Sequence, residues 1–183
     1  DRIFRKEGTK VLFWPIQYVK QKTKLLVHHT ATTGKLPTTI EEEKKFMKDV
    51  YAYHALSNKW WDIGYNFVIM PSGRIYEGRK WGAGVIGAHA SWNNTKSIGI
   101  SLVWNFETIQ PQQDQVESLV TMLTALAKKY SIDPQEQKYY FKKSSKSPFI
   151  IAEKHDAIAG HRDAGYTKCP WENLYALLPS IRT

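Results

Sequence analysis

The sequence predicts a single α/β domain, a central mixed β-sheet flanked by helices, and three stretches carry that expectation. Lys24-Leu25-Leu26-Val27-His28-His29 is a short apolar run ending in polar residues, the pattern of a buried strand that delivers two histidines to its C-terminal end. Val116, Leu119, Val120, Leu123, Leu126 and Tyr130 recur at helical spacing. Tyr65 to Met70 and Arg74 to Glu77 read as two strands joined by the turn Pro71-Ser72-Gly73. Helices laid on such a sheet bury both kinds of apolar surface in one core.

The remaining elements follow in order. Thr39 with Glu42 three residues on forms a possible capping box, and Ile40, Met47, Val50, Tyr51 and His54 continue an amphipathic helix to about Ser57-Asn58. Ile98, Ile100, Leu102 and Trp104 alternate as a further strand, and Pro111 suits the first turn of the second helix. Tyr139-Tyr140-Phe141 and Phe149-Ile150-Ile151 flank a Lys/Ser tip, which predicts an inserted β-hairpin near residues 137–151. Trp171 to Leu178 reads as a short closing helix.

At 183 residues, with 42% hydrophobic residues, no repeat and no compositional linker, the chain suits one domain over residues 1–183. No apolar run approaches the roughly 20 residues that span a bilayer. No charged segment followed by an apolar stretch opens the chain, so no signal peptide is expected in it as given. The net charge of +9 favours a polyanionic partner, and nucleic acid, a membrane surface or an anionic cell wall would all qualify. Much of that charge lies in Lys-rich stretches such as 138–146, which suit a solvated hairpin tip. No nucleic-acid-binding signature accompanies it, so no nucleic-acid partner is expected.

Cys169 is the sole cysteine, which excludes an intramolecular disulfide and leaves a core thiol, a reactive thiol or a metal ligand. It lies eight residues after His161 in the Gly-containing, loop-like stretch Gly160 to Pro170, which can turn both side chains toward one point. Zinc accepts imidazole and thiolate together, and His28 at a strand end would supply a third ligand, leaving one position open. A structural histidine and a buried thiol remain the alternative on these residues alone.

Taken together, Val27-His28-His29-Thr30-Ala31, Trp61-Asp62-Ile63-Gly64-Tyr65-Asn66-Phe67, Ile75-Tyr76-Glu77-Gly78-Arg79, Gly87-Ala88-His89-Ala90, Ser97-Ile98-Gly99-Ile100 and Gly160-His161-Arg162-Asp163 through Thr167-Lys168-Cys169-Pro170 run in the order of a known family. The chain resembles the peptidoglycan-recognition and phage-type N-acetylmuramoyl-L-alanine amidases over roughly residues 24–182, with 1–23 as an N-terminal extension. The resemblance implies Zn2+ held by His28, His161 and Cys169, with Tyr65 and Thr167 as catalytic residues beside it. It implies hydrolysis, by a metal-activated water, of the amide between N-acetylmuramic acid and L-alanine of peptidoglycan. A non-catalytic peptidoglycan receptor using the same cleft is the alternative. No H-E-x-x-H glutamate is present, so the resemblance leaves the proton donor to the departing amine unassigned.

The family lines its cleft at positions matching His29, Thr30, His54, Trp60, Tyr65, Arg79, His89 and Asn94. In related proteins an arginine at the position of Arg79, with Gly-Trp before the Asp-x-Gly-Tyr motif, accompanies preference for meso-diaminopimelate stems, whose extra carboxylate an arginine can grip. Trp60 and Arg79 fit that pattern, while Lys59 stands where the glycine is usual; an ordinary surface arginine is the other reading of Arg79. Trp171 likewise replaces the glycine usual after Cys-Pro. The resemblance further implies a monomer acting on peptidoglycan or muropeptides in an extracellular, periplasmic or cell-wall setting.

Overall fold

The computed structural model of the chain describes residues 16–143 and 149–183, preceded by a small ribbon of β1 (Lys6–Glu7) paired antiparallel with β2 (Lys10–Val11). The tip of the expected hairpin, 144–148, and much of the expected N-terminal extension lie outside the described residues. The rest is a mixed α/β domain built on a five-stranded sheet.

Strand β3 (Lys24–His29) is buried at all six positions because it pairs in parallel on both sides, with β6 (Ser97–Leu102) and with β9 (Ile158–Gly160). Beyond β6 come β4 (Phe67–Ile69), also parallel, and β5 (Ile75–Glu77), antiparallel at the edge, giving the order β5-β4-β6-β3-β9. The alternation read in Ile98, Ile100 and Leu102 suggests a half-buried strand, yet β6 is buried throughout and stops before Trp104. An interior parallel strand has both faces covered, and small residues such as Gly99 fill the second face.

One face of the sheet, with Leu25, Val27, Ile98, Ile100 and Leu102, receives α2 (Gln113–Tyr130) through Leu119, Leu123 and Leu126. Burying each such leucine stabilises by about 1.5–3 kcal/mol. Val120 instead faces outward, and Pro111 precedes the Gln112 N-cap rather than entering the first turn. Buried Gln115 fastens α2 to the sheet: its side-chain oxygen accepts from Gln112 N–H, and its amide donates to the carbonyls of Ile69 and Val103.

On the other face, α1 (Ile40–Tyr51) opens with the expected capping box, Thr39 Oγ1 accepting from Glu42 N–H and Glu42 Oε2 from Thr39 N–H, both at 3.2 Å. The helix continues into a π-helical turn, Ala52–Ser57, that carries His54. A buried carboxylate anchors α1 to the β4–β5 turn. Glu43 accepts from Ser72 Oγ (2.5 Å), Arg74 Nε (2.7 Å) and Tyr76 OH (2.8 Å). Burial alone would raise its pKa, but these three donors outweigh that and hold it below the usual carboxylate value.

The expected hairpin is present as β7 (Gln137–Lys143) and β8 (Ile150–Asp156), longer than the sequence suggested and separate from the main sheet. The closing helix is two short turns, α4 (Glu172–Tyr175) and α5 (Leu178–Ile181), and the stretch expected as a loop begins with a helical turn, α3 (His161–Ala164). Residues just before β3 are part of the fold, since Tyr18 bridges to Val85 and buried Lys22 donates to the carbonyls of Val85 and Ser97. No helix among the described residues is long and apolar enough to cross a membrane.

Glu43→Ala should destabilise the fold by about 2 kcal/mol, less than for a fully buried ion pair because Arg74 is half open to water. Because the folded pKa is depressed, the Glu43 contribution is present above the unfolded-state pKa and lost as pH falls through the folded one. Urea unfolding of wild type and variant at neutral and acidic pH should show the gap between them closing in acid.

Candidate metal centre and cleft

Register brings the three donors together. Val27 lies opposite Gly160, so the next residues, His28 and His161, leave the parallel strands side by side with ring centroids 4.5 Å apart. The chain then loops back: Gly160 N–H donates to Asp163 Oδ2, Tyr175 OH donates to Asp163 Oδ1, and Arg162 N–H donates to the Cys169 carbonyl at 2.8 Å. These bonds return Cys169 to the histidines. Its Sγ lies 4.0 Å from His28 Nδ1, and the donor atoms of His28, His161 and Cys169 all lie within 4.8 Å of one another.

Zinc bonds of about 2.0–2.3 Å in a tetrahedron put ligand atoms roughly 3.3–3.7 Å apart, so this set fits with small side-chain adjustments. Two imidazoles and a thiolate are a donor set suited to that ion. Burial, then the nearby His29, lowers the His161 pKa to about 4, and burial with the neighbouring histidines also lowers that of His28. Both rings are therefore neutral at pH 7 and able to offer lone pairs. Burial pushes the Cys169 thiol up to about 12, opposed by the His29 backbone N–H that points at Sγ from 3.4 Å.

Tyr65 sits in the bend before β4, not in the strand as expected, with its ring 5.3 Å from that of His28 and its hydroxyl donating to the His29 carbonyl at 3.4 Å. Burial, then the Cys169 sulfur, raises its pKa, so the phenol keeps its proton. Thr167 is exposed beside the donors and accepts from Cys169 N–H at 3.1 Å. His54 stacks between Trp60 (4.8 Å) and Tyr65 (5.3 Å). Its Nδ1 accepts from Gly64 N–H at 3.1 Å, which leaves Nε2 as the protonated nitrogen, and burial with nearby Arg79 lowers its pKa to about 4.

Trp60, Arg79 and Asn94 converge on one groove of about 510 Å³, whose other walls include Lys59, Trp92 and Gly87. Arg79 is buried and donates to the carbonyls of Ile63 and Trp60, each at 3.0 Å, so it holds the Trp60 segment in place. Asn94 Oδ1 accepts from the backbone N–H of His89 and Ala90. Lys59 and Trp171 have positive φ, 58° and 66°, and Trp171 combines it with an extended ψ of 167°.

Three expected cleft residues are placed otherwise. His29 alternates to the opposite sheet face from His28, its buried ring beside Phe106, so only its backbone faces the donors. Thr30 Oγ1 accepts from Trp104 N–H at 3.0 Å and pairs with Thr32 Oγ1, a tie between loops. His89 is buried beneath His28.

The sequence reading missed Asn66, Ser97 and Ser101. Asn66 donates to the carbonyls of Gly82 and Val85 and accepts from Gly99 N–H, fixing the loop that follows Arg79 to the sheet. Ser101 pairs in register with His28, on the same sheet face. For Ser97 and Ser101, polar side chains in an otherwise apolar, fully buried strand were the available signal.

The N-acetylmuramoyl-L-alanine amidase family profile matches residues 19–172. The chain belongs to this family. Peptidoglycan-recognition protein SC2 of Drosophila simulans is 35% identical over 150 residues, covering 82% of this chain and 68% of that protein. The human N-acetylmuramoyl-L-alanine amidase is 27% identical over 154 residues, covering 84% of this chain but 23% of the human one. Among solved structures, a mutant of Drosophila PGRP-LB in complex with tracheal cytotoxin superposes with a TM-score of 0.72 at 28% identity, covering 91% of this chain and 85% of that one. The family thus includes proteins named for recognition and proteins named for catalysis.

In metal-free buffer at pH 8, iodoacetamide should modify Cys169 at least roughly a hundredfold more slowly than a free cysteine peptide, because its thiolate fraction is far smaller. Mass spectrometry of the intact protein over time checks this.

Proposed function

We propose that the chain is a zinc-dependent amidase that hydrolyses the bond between the lactyl group of N-acetylmuramic acid and L-alanine of peptidoglycan. The observation that carries this reading is the convergence of His28, His161 and Cys169 in a member of the amidase family. Zinc, when bound, would supply a Lewis acid that polarises the scissile carbonyl and lowers the pKa of water. His28 Nδ1, His161 and the Cys169 sulfur would hold it.

The protein's own groups do the rest. Tyr65, with its proton retained, turns its hydroxyl from the His29 carbonyl to donate to the oxygen that gains charge as the carbonyl is attacked, and Thr167 is a second donor from the mouth of the site. Neither is a base. His54, fixed with its proton on Nε2, presents a neutral donor to the substrate between Tyr65 and Trp60.

Trp60, 40% exposed, offers an aromatic surface for the glycan or stem, and the groove with Arg79, Lys59 and Asn94 is the seat of the stem peptide. Cations there suit stems bearing an extra carboxylate, which supports a lean to the meso-diaminopimelate type. Such a substrate lies outside the cytoplasm, so the protein acts on the wall, as a monomer, with its +9 charge favouring an anionic surface.

Incubation of the zinc-loaded protein with diaminopimelate-type and lysine-type muropeptides, followed by mass spectrometry, tests this. Release of free stem peptide beginning at L-alanine is the expected result; tight binding without release makes the protein a receptor instead. Cys169→Ala should lose both zinc and turnover. Tyr65→Phe should keep zinc, measured by elemental analysis, and lose roughly a hundredfold in kcat, the worth of one such donor.

A further inference from the structure

Beneath the three donors lies a polar chain that none of the chemistry above uses. His28 turns Nδ1 toward Cys169, and its other nitrogen, Nε2, lies 3.0 Å from His89 Nδ1. His89 Nε2 lies 3.4 Å from Ser97 Oγ, and Ser97 Oγ lies 2.6 Å from the Asn93 carbonyl.

The carbonyl end fixes the direction of every bond in this chain. The Asn93 oxygen can only accept, so Ser97 donates its proton there and offers a lone pair to His89. A neutral His89 then carries its proton on Nε2 and leaves Nδ1 bare, which accepts from His28 Nε2–H. With that nitrogen protonated, the only lone pair left on the His28 ring is on Nδ1, the atom facing Cys169. Both rings are buried, and the ammonium of Lys22 donates to the carbonyl of the same Ser97 whose hydroxyl faces His89.

The fold makes room for this ring and nothing larger. A Cβ on Gly99 would lie 2.4 Å from His89 Cγ, and one on Gly87 would lie 2.5 Å from Cδ2. Neither approach is possible between real atoms, so the His89 ring bars a side chain at both positions, joined at Gly87 by the Gly64 carbonyl at 2.9 Å. An ordinary core position filled by close packing would need no proton acceptor at its centre.

We propose that His89 is a positioning residue for the metal centre: with Ser97 behind it, it holds His28 in the Nε2–H form and aims Nδ1 at the ion. This replaces the cleft role that the family resemblance implies for His89, and it rests on the zinc reading above. Groups that orient a ligating imidazole in this way typically change metal affinity by about 10–100-fold when removed.

The test is a chelator-competition titration of zinc into metal-free wild type, His89→Leu, His89→Asn and Ser97→Ala, with the unfolding temperature of each metal-free protein alongside. Asparagine sets an amide oxygen near the place of Nδ1 and restores the acceptor; leucine fills the space without one. His89→Leu should weaken zinc by roughly 10–100-fold, His89→Asn should recover most of that loss, and Ser97→Ala should weaken zinc several-fold. In metal-free protein, the 15N spectrum of the imidazoles should show His28 protonated on Nε2, with the Nδ1–H form gaining population in Ser97→Ala.

Wild-type zinc affinity in His89→Leu would overturn the proposal, as would equal weakening by leucine and asparagine, which would make His89 a space filler. If His89→Leu does not fold, the wild-type spectrum decides, and a His28 proton on Nδ1 overturns the proposal. Failure of the wild type to take up zinc would instead remove the amidase reading itself.

Discussion

The parallel pairing of β3 with β9 sets where everything chemical in this molecule lies. Because Val27 faces Gly160 across that pair, His28 and His161 emerge from adjacent strand ends without any long excursion of the chain. Cys169 then needs only a short loop, closed by Arg162 N–H on its own carbonyl, to complete the group. A slip of one residue in either strand would send one imidazole to the opposite face. The apolar cover supplied by α2 on one side, and by Ala90, Tyr140 and Ala164 around Leu26 on the other, holds that register by burying β3 completely.

Burial that fixes the register also fixes the charge state. Three imidazoles crowded together would repel one another if protonated, and enclosure keeps them neutral while desolvation keeps the Cys169 sulfur protonated. The centre is therefore electrically quiet until something binds that rewards deprotonation of Cys169. The same enclosure keeps Tyr65 a donor at any physiological pH.

Much of this was legible in the sequence because it is local. The apolar run into His28, the capping box at Thr39 and the leucine periodicity of α2 are rules of neighbouring residues, and the structure obeys them. The His161 to Cys169 spacing pointed to convergence, and the three donors are together. What the sequence could not show was sidedness and depth. His28 and His29 look alike on paper, yet strand alternation sends them to opposite faces, and His89 reads like a cleft residue although Gly87 and Gly99 sink it below the floor. The extra length of the hairpin and the π turn that sets His54 depend on tertiary packing, which local patterns do not carry.

Lys59 and Trp171 both hold the main chain at positive φ. Glycine adopts such backbone without cost, whereas Trp171, at φ 66° and ψ 167°, stands in a region used almost only by glycine at an expense on the order of 1–3 kcal/mol. Their positions explain what that strain supports: Lys59 adds a cation to the wall of the groove beside Trp60 and Arg79, while Trp171, straight after the metal loop, packs on the core beneath the Lys168 ammonium. Neither side chain is one of the three donors, so what the groove offers a ligand can be changed at Lys59 while His28, His161 and Cys169 stay where they are.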